Sequence, residues 1–152
     1  RLVLPEAAHW HGRYLDERRG DYTPEVHARL AHGRTYLAVD YLAARATCAD
    51  LAAAVDALFG ESDALVLPTL PIVAPPLGAD TIAIGGSRSV LPVRTAMLKH
   101  TQLFNMTGHP AITLPVAARG LPVGLQIVGR RWATTQLLDV AAGCEQVLGR
   151  DA

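Results

Sequence analysis

The chain has 152 residues, a length that suits one domain and lets an autonomous fold bury roughly 70% of its unfolded surface. Half of it is hydrophobic and 18% is charged, which excludes a disordered chain. Basic and acidic residues balance at 14 each, the pairs Arg18-Arg19 and Arg130-Arg131 are too short to track nucleic acid, and no apolar run nears the ~20 residues of a membrane span.

The sequence opens at Arg1 inside a Leu2-Val3-Leu4 run, with neither an initiator methionine nor a signal peptide, so a processed or truncated protein is expected. Residues 6–18 predict a short helix. Thr23 then offers a hydroxyl cap, Pro24 suits a first helical position and Glu25 favours the positive end of the dipole. Apolar or small residues at 26, 30, 33, 37, 41, 44, 48, 51, 55 and 58 predict one helical face, carried by a single long helix or by two with a bend near Gly33. Gly60 is the expected left-handed stop. Residues 64–67 are continuously apolar and predict a buried strand of the parallel type. Prolines at 68, 71, 75 and 76 then stiffen an extended loop, and Gly85-Gly86 marks a turn.

Residues 95–105 predict a helix with Met97, Thr101 and Phe104 on one flank, ended by Gly108 and Pro110. Ile112, Leu114 and Val116 alternate with smaller or polar neighbours, as do Val123, Leu125 and Ile127, and a turn through residues 119–122 makes the two strands an antiparallel pair. A last helix begins at Thr134 or Thr135, buries Leu137, Ala141, Cys144 and Leu148, and stops at Gly149. The order predicts an α/β fold, a sheet mixed in strand direction and covered by helices. Cys48 and Cys144 fall inside helical patterns and read as small buried hydrophobes of a reducing, cytoplasmic compartment. The histidines have no zinc spacing, so no metal and no cofactor is expected.

Three blocks then stand out in order: DALVLPTLP at 63–71, FNMTGHPAITLP at 104–115 and GLPVGLQIVG at 120–129. With the long helix bearing Tyr41 and Arg45 before them, they resemble the C-terminal half of the amidase-signature hydrolases over residues 6–149. The resemblance implies the C-terminal portion of that fold, here spanning residues 1–152, and hydrolysis of a carboxylic amide. In that family a serine nucleophile acts with a second serine on a cis peptide bond and an unprotonated lysine, while glycine-rich amides hold the oxyanion. Those groups lie in a Gly-Gly-Ser-Ser-Gly-Gly segment and at an upstream lysine of the N-terminal half.

This chain departs from the pattern. Its serines are Ser62, Ser87 and Ser89 and its one lysine is Lys99. Gly85-Gly86-Ser87 has Arg88 where the second serine belongs, so a surface turn is its default reading, and Lys99 beside His100 reads as solvated. No catalytic residue is therefore assigned, and the chain alone is expected to be inactive.

The resemblance also implies a substrate-binding set. Arg29 sits in an Arg-Leu-x-x-Gly setting where relatives acting on carboxylate-bearing substrates hold that carboxylate; the plainer alternative pairs it with Asp21 or Glu25. Thr101 and Phe104 fall where the family's helix lines the pocket, although core packing accounts for them as well. With Thr69 and Pro71 of the proline-rich loop, they and Arg29 are expected to border one concavity beyond a strand end. Glutaminase-type members carry an aspartate early in this helix; here Leu98 stands instead, with no acid between Thr81 and Ala118, which favours a less polar amide. Gln126 reads as a buried amide satisfying backbone, and Gly124 as a site of close packing.

The leading reading is the C-terminal segment of an amidase, partnered by a complementary N-terminal half and a small-molecule amide, with no nucleic acid or membrane. Its uncovered surface predicts self-association into a homo-oligomer. The rivals are a free-standing, non-catalytic module binding a small molecule or a protein, and an independent hydrolase using Ser87 with a histidine. The coding sequence upstream of Arg1 discriminates between them.

Overall fold

The computed structural model describes residues 2–85, 90–116, 118 and 120–149. Ser87, Arg88 and the second half of the Gly85-Gly86 turn lie outside them. The chain divides into two compact units, residues 1–50 and 51–152.

The first unit is helical. Helix α1 spans Val3–Leu15, three residues ahead of the expected start, and a single 3-10 turn follows at Arg19–Asp21. Helix α2 spans Pro24–Gly33 and begins as the sequence predicts: the Thr23 hydroxyl accepts from the Val26 amide, with Pro24 in the first turn. The two helices meet at Gly33. A Cβ there would strike the Leu4 carbonyl and lie 2.8 Å from the Ala8 Cβ, so only glycine permits the approach. Ala8, Leu15 and Leu30 are buried. Arg34 fastens the pair with two bonds to the Asp16 carboxylate, at 3.0 and 2.9 Å, and one to the Gly12 carbonyl at 3.0 Å.

Helix α3 spans Ala38–Phe59, so the bend near Gly33 is a full break. The single apolar face expected through residue 58 does not survive it. Leu37, Leu51 and Leu58 are 63%, 38% and 67% exposed, while Ala52, Val55 and Phe59 are buried. Residues 34–37 leave the helix and reset its phase: Val55 is buried as expected, while Ala52 and Phe59 are buried in place of Leu51 and Leu58. Gly60 ends α3 at φ +50°, as expected.

The second unit is built on a three-stranded sheet in the order β1-β5-β4, with β1 at Ala64–Pro68, β4 at Ala111–Val116 and β5 at Val123–Gly129. The β4–β5 pair is antiparallel, as the alternation predicts, with Thr113 opposite Gln126. Two expectations are corrected. Strand β1 is an antiparallel edge strand beside β5, not a buried parallel one, and both ladders of the sheet are antiparallel, so the mixture of directions predicted for it is absent among the described strands. A short apolar run fixes neither the direction of a strand nor its place in the sheet, and Val66 on this edge is 59% exposed. A second antiparallel pair, β2 at Thr81–Ala83 and β3 at Val90–Pro92, was too short for periodicity to reveal.

The helix predicted over 95–105 is two short ones, α4 at Val93–Leu98 and α5 at Gln102–Thr107, divided at Lys99–Thr101. The expected flank splits accordingly: Phe104 is buried and Met97 exposed, its core place taken by Ala96. Gly108 caps α5 at φ +74°, its amide bonding the Phe104 carbonyl. Helix α6, Thr134–Leu148, starts where the sequence predicts.

Both faces of the sheet are covered. On one, Ile127 and Leu114 pack against Leu137 and Ala141 of α6, joined by the half-buried Cys144 and Leu148. On the other, Val128 packs against Val55, Phe59 and Phe104. Successive residues Ile127 and Val128 thus enter different clusters, and both are fully buried. Among the described residues, no helix is long and apolar enough to cross a membrane, and Cys48 and Cys144 are free thiols.

Candidate functional site

The Val128 face of the sheet is apolar at one end and polar at the other. Along β5, Gln126 and Gly124 follow Val128 on that face, with Thr113 of β4 beside them. Here the chain leaves β1 for the proline-rich loop. The Thr69 amide donates to the Gly124 carbonyl at 2.9 Å, and the Thr69 and Thr113 hydroxyls lie 3.1 Å apart. A Cβ on Gly124 would sit 2.7 Å from both the Thr69 Oγ1 and the Thr113 Cγ2. Glycine is therefore what lets the loop descend onto the sheet.

The turn between α4 and α5 closes this corner. His100 Nδ1 lies 2.9 Å from the Pro68 carbonyl; because a carbonyl only accepts, the ring nitrogen donates. The Gln126 Nε2 donates back to the His100 carbonyl at 3.4 Å. Gln126 is buried and its amide serves neighbouring backbone, as its alternation with Ile127 implies. Thr69 and Thr101 each follow, in sequence, one of the two residues joined by the His100–Pro68 bond. Both are half-buried.

Phe104 stands apart from them. Only 6% exposed, it packs in the Val55–Phe59–Val128 cluster. Arg29 lies on α2 in the other unit, exposed, with no hydrogen bond or ion pair to a described residue. The pairing with Asp21 or Glu25 weighed from the sequence is not formed; Asp21 takes Arg18 at 2.5 Å. Lys99 is exposed at the end of α4, as expected.

A second polar group lies where α3 meets the end of β5. The buried His109 donates from Nε2 to Asp56 Oδ1 at 3.1 Å, and its Nδ1 meets the Thr107 hydroxyl at 2.8 Å. Its ring stacks on Phe59 at 5.7 Å. Arg131 forks onto the same Asp56 carboxylate, and Arg130 reaches the Gly60 and Ser62 carbonyls. Arg131, first, and His109 favour the ionised carboxylate and hold Asp56 below its ordinary 3.8 against a partial desolvation that pushes the other way. Arg131 and His109 are spent on the Asp56 carboxylate and Arg130 on backbone, so this network ties α3 to the residues that follow β5 and to the Gly-His-Pro turn. The sequence gives His109 a structural place in its Gly-His-Pro turn but offers no sign of Asp56, 53 residues away.

The likenesses to known proteins bear on the whole chain. The family model described as Amidase matches residues 5–138. A fatty acid amide hydrolase of Oryza sativa is 30% identical over 136 residues, 88% of this chain and 22% of its own length. The 2-amino-5-chloromuconic acid deaminase of Comamonas testosteroni is 30% identical over 151 residues, 98% of this chain and 32% of its own. A crystal structure of an amidase superposes with a TM-score of 0.89 at 33% identity, covering 97% of this chain and 34% of that one. The chain thus spans about a fifth to a third of the length of these relatives. A family match over residues 5–138, a range that includes the Thr69–Gly124 corner, places the chain in the amidase family.

Proposed function

We propose that this chain is the C-terminal segment of an enzyme that hydrolyses a carboxylic amide, furnishing scaffold and one wall of the substrate pocket while a complementary N-terminal half brings the Ser-cisSer-Lys groups. One observation carries the reading: the amidase match runs nearly the length of a chain whose serines are Ser62, Ser87 and Ser89 and whose sole lysine is Lys99. That inventory has no adjacent Ser-Ser pair, and loss of such a nucleophile–base unit lowers rates by orders of magnitude.

In this proposal Thr69 and Thr101 meet the substrate from the corner above the sheet, Arg29 meets a substrate carboxylate, and Phe104 closes the wall from its buried side. The wall has no acid from Thr81 to Ala118, and Leu98 is neutral, so a substrate amine finds no counter-charge there. Likeness to a fatty acid amide hydrolase agrees with such a less polar amide.

The purified chain is expected to release no ammonia from aliphatic or aromatic amides. Joined to a Gly-Gly-Ser-Ser-bearing N-terminal half, it is expected to turn them over, with a Michaelis constant for carboxylate-bearing amides that rises in Arg29→Ala. Turnover by the chain alone that disappears in Ser87→Ala overturns the proposal.

A further inference from the structure

Helix α3 carries an apolar stripe that is buried along only part of its length. Tyr41, Ala44, Cys48, Ala52, Val55 and Phe59 follow one another at steps of three and four, which places them on one side of the helix. The last three are buried, Val55 and Phe59 in the cluster with Val128. The first three are half-buried, and no residue of α3 before Ala52 is buried. Glu6 and Arg45 both address the Tyr41 hydroxyl, which donates to Glu6 at 2.8 Å. Ala44 is a bare methyl and Cys48 a free thiol.

Periodicity runs unbroken along α3, whereas burial starts only at Ala52. A helical stripe of this kind is the mark of a face packed on a protein interior, and the ridge it forms fits another helix or a sheet rather than a small molecule. The relatives have the material to supply that cover. The amidase that superposes on 97% of this chain is matched over 34% of its own length, so about two thirds of it is further protein.

We propose that the Tyr41–Ala44–Cys48 stripe of α3 seats the complementary N-terminal half, under an uncharged, apolar helix or sheet face of that half. The inference rests on the amidase reading above and names a surface through which the two parts join.

Cys48 reports on the stripe directly. The other cysteine is Cys144, so Cys144→Ala leaves Cys48 as the single thiol. The partner used is the unmatched part of that amidase, freed of cysteine and joined to this chain. Cys48 is expected to take up a maleimide in the chain alone and to lose that labelling in the joined protein. Ala44→Lys is expected to leave the unfolding midpoint of the chain alone unchanged and to restore labelling in the joined protein. Labelling undiminished by joining overturns the inference, and ammonia release by that same protein shows that the amidase reading survives it. Protection of Cys48 without ammonia release upholds the interface and counts against the reading. Protection that grows with the concentration of the chain alone gives the stripe to a second copy and overturns the inference. The labelling comparison needs no change at Ala44, so it decides the matter even if Ala44→Lys fails to fold.

Discussion

Residues 1–50 and residues 51–152 solve the problem of burial differently. The helical unit rests on a glycine contact, Gly33 against Leu4 and Ala8, and on exposed polar ties such as Arg34 to Asp16. The sheet unit has apolar clusters on both faces of β5 and buries its polar groups within it, Gln126 and His109 among them. A helix pair needs one stripe from each partner. A central strand has two faces to cover, and once both are covered it fixes its neighbours more tightly.

The largest expected effect tests that core directly. Phe59→Ala is expected to cost about 3–5 kcal/mol in denaturant unfolding, because it opens a cavity beneath His109 and Val128. A loss below about 1 kcal/mol would break the contrast between the units. Matched glycine changes sharpen it. Gly124→Ala is expected to cost about 1–3 kcal/mol and to part the Thr69 and Thr113 hydroxyls. Gly33→Ala is expected to cost at least as much, since the atom in its way includes backbone, which yields less readily than a side chain.

The Asp56 network gives the sheet unit a pH signature. Asp56 titrates below its ordinary 3.8 when folded, so its contribution is complete above that value and is lost as pH falls through the lower, folded one. Acid titration of stability should steepen below pH 4, and Arg131→Gln, which removes the main cause of the shift, should flatten that limb. A profile unchanged by the substitution would dismiss the network as a stabilising group. The smallest effect belongs to the helical unit. Arg34→Ala removes an exposed ion pair and is expected to cost about 1 kcal/mol or less, shrinking further in salt.

The sequence by itself determined what is local. The Thr23–Pro24 start of α2, the Gly60 stop, the β4–β5 pair and the start of α6 follow from caps, glycine and side-chain alternation, which act within a few residues. It also marked the blocks of the amidase family and the close packing at Gly124. Tertiary structure decided the rest. The direction of β1 depends on its partner β5, about sixty residues on, and no apolar run encodes that. The break at residues 34–37 and the division of α4 from α5 moved buried positions to Ala52, Phe59 and Ala96, because each interruption resets the helical phase. The turn bearing Thr101 is tied to the end of β1 before Thr69 because His100 reaches the Pro68 carbonyl, and Phe104, on the next turn, faces the core instead. Which face a residue presents is a property of the element. Which neighbour it meets there is a property of the whole fold.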